Sequence, residues 1–170
     1  MSIAQIEAIY IAPLARAAVV AIPEATLVAG RGIVGDRYFN QQGTFSDWPQ
    51  DHEFTLIEAE AIEAVEAEYG LVLAPGETRR NVTTRGIALN ALVGRLFRLG
   101  DTVLCEGTRL CHPCAHLEVV TGKGGLARLL AGRGGLRARV LVGGVIQQGD
   151  PVNMLPSLAA SASAAYNAER

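Results

Sequence analysis

The sequence predicts a mostly β fold, a barrel-like or strongly bent sheet with a few short helices. Three observations carry this. Apolar runs are short, rich in Ile, Val and Leu, and closed by glycine, of which the chain has 19 among 170 residues. Two segments echo one another, Phe97-Arg98-Leu99-Gly100-Asp101-Thr102-Val103 and Ile146-Gln147-Gln148-Gly149-Asp150-Pro151-Val152. Gly-Asp between apolar runs marks a tight turn, because glycine enters a positive-φ conformation that other residues resist, and two such turns bend a sheet sharply. Only one stretch, near 56–69, has a clear helical period.

In chain order, residues 2–12 alternate loosely and read as a strand stopped by Pro13. Residues 18–28 are a second β-prone stretch, broken at Pro23 and closed by Gly30. Gly30, Gly32 and Gly35 crowd a loop, and the polar segment Asn40–Glu53, with Trp48-Pro49, shows no period. An irregular loop that long is usually functional or mobile. The helix at 56–69 has Thr55 and Glu58 at capping-box spacing and Gly70 where a C-terminal cap belongs. Ile57, Ala61, Ile62, Val65 and Tyr69 line one face, while Glu58, Glu60, Glu63, Glu66 and Glu68 form a solvated acidic one. A second short helix is expected at 125–131, where Leu126, Leu129 and Leu130 share a face. The rest reads as strands. Residues 1–156 form one domain on this reading, and the Ser/Ala-rich stretch 157–170 is a flexible, dispensable tail.

A chain that is 49% hydrophobic and 19% charged is globular rather than disordered. No apolar run approaches the ~20 residues of a membrane-spanning helix, and Glu7 and Arg16 interrupt the N-terminus where a signal peptide needs a continuous apolar core. Three cysteines, two of them close together, fit thiol chemistry in a reducing compartment better than a disulfide framework. A cytoplasmic protein with no membrane partner is expected. A net charge of −2 argues against a generic nucleic-acid binder, and the few aromatic residues lie in no aromatic–basic motif.

The charge is unevenly placed. Between Arg79 and Arg139, ten arginines and Lys123 stand against only Asp101, Glu106 and Glu118. GC-rich codon usage accounts for many arginines and one lysine, but not for the scarcity of acids there. A concentrated arginine field suits a small anionic ligand, because the guanidinium fork binds phosphate bidentately.

The densest reactive cluster is Leu110-Cys111-His112-Pro113-Cys114-Ala115-His116-Leu117-Glu118, with Cys105 shortly before it. Four readings are open. Cys105, Cys111, Cys114 and His116 could supply a zinc site, although zinc ligands usually split into separated knuckles, and Cys105 near Val103 would face the core as a small hydrophobe. Cys-x-x-Cys could be a thioredoxin-like redox pair, although that motif opens a helix within a βαβ unit near the start of its fold. The cysteines could be incidental. Alternatively, one nucleophilic or metal-binding thiolate stands in the arginine-rich half, where positive charge favours it.

Four blocks, in order across residues 3–155, carry a family resemblance. Gly32-Ile33-Val34-Gly35-Asp36-Arg37-Tyr38 fits a G-x-x-G-D-R pattern. Arg79-Arg80-Asn81-Val82 fits R-x-N-I/V and leads to the glycine-punctuated run Leu92-Val93-Gly94-Arg95-Leu96-Phe97-Arg98-Leu99-Gly100. Cys111-His112-Pro113-Cys114 holds the characteristic cysteine, and Gly143-Gly144-Val145-Ile146 to Gly149-Asp150-Pro151-Val152 fits a closing strand pair. The chain thereby resembles the MOSC domain family, named after the C-terminal domain of molybdenum cofactor sulfurase, and is similar to its small stand-alone bacterial members.

The resemblance implies a mostly β, barrel-like fold that binds the molybdenum cofactor (molybdopterin). It makes Cys114 the reactive cysteine, as a soft ligand to molybdenum or a sulfur acceptor, with Cys111 as a less certain partner. His112 and His116 flank Cys114, either for proton transfer near neutrality or as surface residues beside a turn. Arg79, Arg80, Asn81 and Arg85 are candidates for the pterin phosphate. Arg37 joins them or pairs with Asp36 to shape its loop. Arg95 and Arg98 read as solvent-facing, and Lys123 lacks P-loop spacing. No pyridoxal phosphate is expected on this chain itself. Family members either work beside a pyridoxal-phosphate-dependent cysteine desulfurase or, as oxidoreductases, reduce N-hydroxylated compounds at cysteine-bound molybdenum. The implied partners are a small anionic cofactor and either a cysteine desulfurase or an electron-donor protein. A pure sulfur carrier or a zinc-stabilised binding module is the alternative.

Overall fold

Aliphatic residues at alternate positions of short strands set the core. The structure, a computed structural model, describes residues 3–47 and 53–156. Trp48-Pro49 and the stretch 157–170 lie outside the described residues. The strands are β1 (Gln5–Ile11), β2 (Val20–Ile22), β3 (Glu24–Val28), β4 (Gly32–Ile33), β5 (Phe54–Glu58), β6 (Val82–Arg85), β7 (Leu96–Leu99), β8 (Val103–Leu110), β9 (Leu136–Val142), β10 (Gly144–Gln147) and β11 (Val152–Met154). The helices are α1 (Ala59–Tyr69), α2 (Ala115–Thr121) and α3 (Leu126–Leu129), with a 3-10 turn at Leu89–Leu92. No helix among the described residues is long and apolar enough to cross a membrane.

Eight strands form one sheet in the order β11-β7-β8-β9-β5-β6-β1-β2, and β10-β3-β4 form a second. Paired strands are antiparallel except β5 and β6, which run parallel with α1 as the crossover. The ladder stays open, yet it curls until the segment leading into edge strand β11 meets β1. Gln5 bridges Pro151, Ile6 N–H donates to Asp150 O at 2.8 Å, and Gly149 N–H donates to Ile6 O at 2.8 Å. The predicted barrel-like bend is therefore present without a closed ladder.

Ile6, Ile9, Phe54, Leu56, Phe97, Leu99 and Leu136 belong to the main buried cluster. Ile57, Val65, Leu117, Leu126 and Leu130 form a second one with the helices. Each such side chain contributes roughly 1.5–3 kcal/mol by burial. Strand β5 is buried on both faces, as a central covered strand should be.

That strand corrects the helix expected at 56–69. Residues 54–58 pair with β6 and β9, and α1 starts only at Ala59. Thr55 is no cap. It is buried in the sheet, and its N–H and hydroxyl donate to Asn81 Oδ1 at 3.1 and 3.2 Å. Glu58 occupies the N-cap without a capping bond and instead accepts Leu89 N–H at 2.6 Å. Gly70 closes α1 as predicted, at φ 66°. The acidic face of α1 is also not simply solvated, because Glu63 pairs with Arg85, Glu68 with Arg133, and Glu60 accepts Gly86 N–H at 2.8 Å.

The expected helix at 125–131 is shorter, Leu126–Leu129, and α2 was not anticipated. Pro23 divides the 18–28 stretch into strands of different sheets. The two echoing Gly-Asp turns also differ in use. Gly100 lies in the β7–β8 hairpin, whereas Gly149 carries the chain from β10 in the small sheet to β11 in the large one. The turns then meet, with Gly100 N–H donating to Pro151 O at 2.9 Å.

Candidate functional site

Strand pairing brings sequence blocks that are far apart into one place. At the end of β8, Leu110 pairs with Leu136, and Cys111 N–H donates to Gly135 O at 2.7 Å. From Cys111 the chain runs without a turn to Cys114, which stands at the N-cap of α2. Cys111 is buried and Cys114 is exposed. Arg79 and Arg80 immediately precede β6, next to β5, which in turn pairs with β9. These segments line an open cleft with Arg37, Arg79, Arg80, Arg137, Cys111, His112, Cys114 and His116 on its walls, together with Tyr38, Thr44, Phe45, Thr55 and Leu117.

His116 lies in the first turn of α2. Its Nε2 is 3.4 Å from Thr44 Oγ1, and its ring meets Phe45 edge-on with centroids 5.5 Å apart. Burial first, then the charges of Arg16, Arg79 and Arg37, hold its pKa below the ordinary value, so the imidazole is neutral at pH 7. His112 is exposed on the cleft wall.

The arginines are fixed by different partners. Arg37 is buried, with Nη1 3.1 Å from Asp36 Oδ1 and Nη2 donating to Arg79 O at 3.1 Å. Asp36 also accepts the N–H groups of Ala12 and Tyr38 at 3.1 and 3.2 Å. The Asp36–Arg37 pair therefore shapes its loop, and Arg37 still lines the cleft. Arg79 holds a left-handed backbone, φ 59°, which is uncommon outside glycine and is a form of strain found at functional sites. Its Nη1 donates to Ala17 O at 2.8 Å, and burial, then Arg37, lower its pKa. Arg80 donates to three carbonyls, Gly134 O at 2.8 Å and Thr78 O and Cys111 O each at 3.3 Å. Arg137, on β9, lies opposite Thr55 and Arg109 in the register. Among the described residues, Arg79, Arg80 and Arg137 make no ion pair.

Two predicted candidates do not line the cleft. Asn81 is buried inside the sheet, where its Oδ1 accepts from Thr55 and its Nδ2 donates to Tyr10 O at 3.2 Å. Arg85, at the other end of β6, pairs with Glu7 and Glu63. Lys123 is held by Glu77 and by Val72 O at 2.9 Å.

The zinc arrangement is not assembled. Cys105 is fully buried in β8, where burial first, then Glu53, pushes its thiol pKa well above the ordinary value. Among the described residues no group of three or more His, Cys, Asp or Glu could hold a metal ion. The thioredoxin-like order is inverted too, since the helix opens after the second cysteine.

Arg137 is the charged cleft residue that the sequence did not single out, and Thr44, Phe45 and Leu117 are uncharged ones. Arg137 and Arg139 look alike in the sequence. Only the register separates them, because Arg139 pairs with Glu106 across β8 while Arg137 lies opposite Thr55 at the cleft.

The MOSC domain family matches residues 40–153, which leaves the Gly32–Tyr38 block outside the match. A comparison with curated protein sequences finds no match. Among solved structures, the fold is similar to YuaD from Bacillus subtilis, with 18% identity and a TM-score of 0.74 over 90% of this chain and 96% of that one. It is also similar to YiiM from Geobacillus stearothermophilus, with 19% identity and a TM-score of 0.67 over 90% and 75% of the two chains. YiiM from Escherichia coli gives 18% identity and a TM-score of 0.66 over 91% and 71%. At these identities the structures establish a shared fold. With the family match spanning more than half of the sequence, the chain belongs to the MOSC domain family.

Proposed function

We propose that the cleft binds the molybdenum cofactor, a molybdopterin, with the Cys114 thiolate as the protein's ligand to molybdenum and with Arg79 and Arg137 facing the cofactor phosphate. One observation carries this reading: an exposed thiol shares a cleft with the guanidinium groups of Arg79, Arg80 and Arg137, which make no ion pair among the described residues. The donor set fits such a group. A single thiolate suits a soft metal whose other ligands arrive with the cofactor, and cations without carboxylate partners suit a phosphate.

When bound, the cofactor supplies two-electron redox chemistry at the metal, of the kind by which family members reduce N-hydroxylated compounds. The chain's own residues prepare the site. Arg37 holds the Arg79 carbonyl and so supports the strained backbone that presents the Arg79 guanidinium. Phe45 and Leu117 keep part of the wall apolar, and the neutral imidazole of His116 can accept a proton within the cleft. The chain has no electron carrier of its own in this proposal, so an electron-donor protein works with it. The cytoplasm, which keeps the thiols reduced, is the proposed compartment.

The exposure of Cys114 favours a second reading, in which the thiol carries persulfide sulfur delivered by a pyridoxal-phosphate-dependent cysteine desulfurase. Elemental analysis separates the two. Protein from a host that makes the cofactor is expected to hold molybdenum that Cys114→Ser lacks. Sulfane sulfur on Cys114 without molybdenum would support the carrier, and zinc alone would contradict both.

A further inference from the structure

We infer that Arg80 and Gly134 form a clamp that positions the Cys114 thiol, and that Arg80 is a positioning residue rather than an anion contact. This deepens the proposed function and rests on Cys114 being the reactive group. The Arg80 guanidinium donates from all three of its nitrogens. Nε reaches Gly134 O at 2.8 Å, Nη1 reaches Thr78 O at 3.3 Å, and Nη2 reaches Cys111 O at 3.3 Å. The three carbonyls belong to separate segments: the run into β6, the loop before β9, and the strand end that carries the cysteines. A planar fork can tie three such acceptors together, whereas a lysine ammonium gathers its donors at one point.

Gly134 supplies an independent observation. A Cβ added there would lie 2.6 Å from Cys111 O and 2.6 Å from Pro113 Cδ. One of these is a backbone atom and the other belongs to a proline ring, so neither can swing aside. Its φ is outside the left-handed region, so space and not backbone conformation demands glycine. Cys111 N–H is also tied to Gly135 O at 2.7 Å. The segment is therefore fixed at both backbone groups of Cys111 and against the ring of Pro113, one residue before the thiol. Three of the five Arg80 N–H groups are directed at carbonyls, whereas Arg79 directs one at Ala17 O, which leaves Arg79 and Arg137 more donors for an anion.

The test compares the full chain with Arg80→Lys, Arg80→Ala and Gly134→Ala, using Arg133→Lys, outside the cleft, as a control. Iodoacetamide labelling at each cysteine and molybdenum content are read on the same preparations. Buried Cys105, in β8 and outside the clamp, reports whether each variant is folded. The clamp predicts that Arg80→Lys and Arg80→Ala change the Cys114 labelling rate alike, by several-fold, and lose molybdenum alike. Gly134→Ala should do the same with Arg80 intact. Arg80→Lys behaving as wild type while Arg80→Ala fails would show that charge alone matters and would overturn the clamp. If Arg80→Ala does not fold, Arg80→Lys and Gly134→Ala decide the matter. A wild type without molybdenum would remove the cofactor reading, while the labelling comparison would still decide the clamp.

Discussion

Two sets of arginines lie on one sheet and its flanks and are held in opposite ways. Outside the cleft, Arg85 meets Glu7 and Glu63, Arg133 meets Glu68 at 2.8 Å, and Arg139 meets Glu106. Inside it, Arg79 and Arg80 meet backbone carbonyls, and Arg137 has no ion pair among the described residues. A carboxylate both orients and neutralises a guanidinium, whereas a carbonyl only orients it. The arginine-rich segment of the sequence is therefore not one cationic field. Arg85, Arg133 and Arg139 are cancelled by glutamates, while Arg79, Arg80 and Arg137 are gathered beside Cys114. The kind of partner, more than the number of arginines, locates an anion site.

The sharpest way to break this comparison is to exchange effects between the sets. Arg79→Ala and Arg137→Ala should each weaken cofactor binding by about 1.5–3 kcal/mol, the usual loss of a charged hydrogen bond, measured by cofactor retention through dialysis. Arg85→Ala and Arg133→Ala should leave retention unchanged, and because exposed ion pairs contribute little, melting should move little. Equal losses in both sets would erase the distinction.

The cysteines sharpen it next. Cys105→Ser places a hydroxyl in the core and should cost about 1–3 kcal/mol of stability without altering molybdenum content. Cys114→Ser, being exposed, should do the reverse, with thermal melts and elemental analysis reading the two effects.

Smaller effects concern protons. In cofactor-free protein, NMR titration should place the His116 midpoint below 6.5, and Arg79→Ala should raise it by removing one of the charges that lower it. A midpoint indifferent to Arg79 would mean that the cleft field does not reach the ring. For the outer set, hydrogen bonds from Arg85 and Arg133 hold Glu63 and Glu68 below the ordinary 4.5. A carboxylate with a depressed folded-state pKa stabilises the fold above its unfolded pKa, and this stability is lost as pH falls through the folded value. Arg85→Ala with Arg133→Ala should therefore lower stability slightly at neutral pH, with the difference from wild type vanishing as pH falls and both glutamates protonate, so that the acid limb is flatter.

Much of the β architecture was legible because it rests on local chemistry. Pro13 and Pro23 stop strands, Gly70 ends a helix, and glycines mark turns. The start of α1 was not legible, because Thr55 and Glu58 form a capping signature in sequence while pairing with β6 and β9 claims those residues for a strand. Tertiary pairing there outweighs local propensity. Helix α2 is short, and its N-cap residue, Cys114, makes no side-chain capping bond, so it left no signature to read. Within the site, the Cys111–Cys114 block and Arg79-Arg80 were visible as motifs, and the fold brings them into one cleft. Asn81, Arg85 and Arg137 could not be sorted from sequence, since strand register decides which side chains meet a partner inside the sheet and which face the cleft.

The most direct measurement is the molybdenum and pterin content of three proteins purified from one cofactor-making host: wild type, Arg79→Ala with Arg137→Ala, and Arg85→Ala with Arg133→Ala. The expected result is molybdenum and pterin together in the wild type and the outer-set variant, and loss of both in the cleft variant. Cofactor retained equally in all three, or lost equally from both variants, would contradict the assignment of anion binding to the cleft arginines beside Cys114.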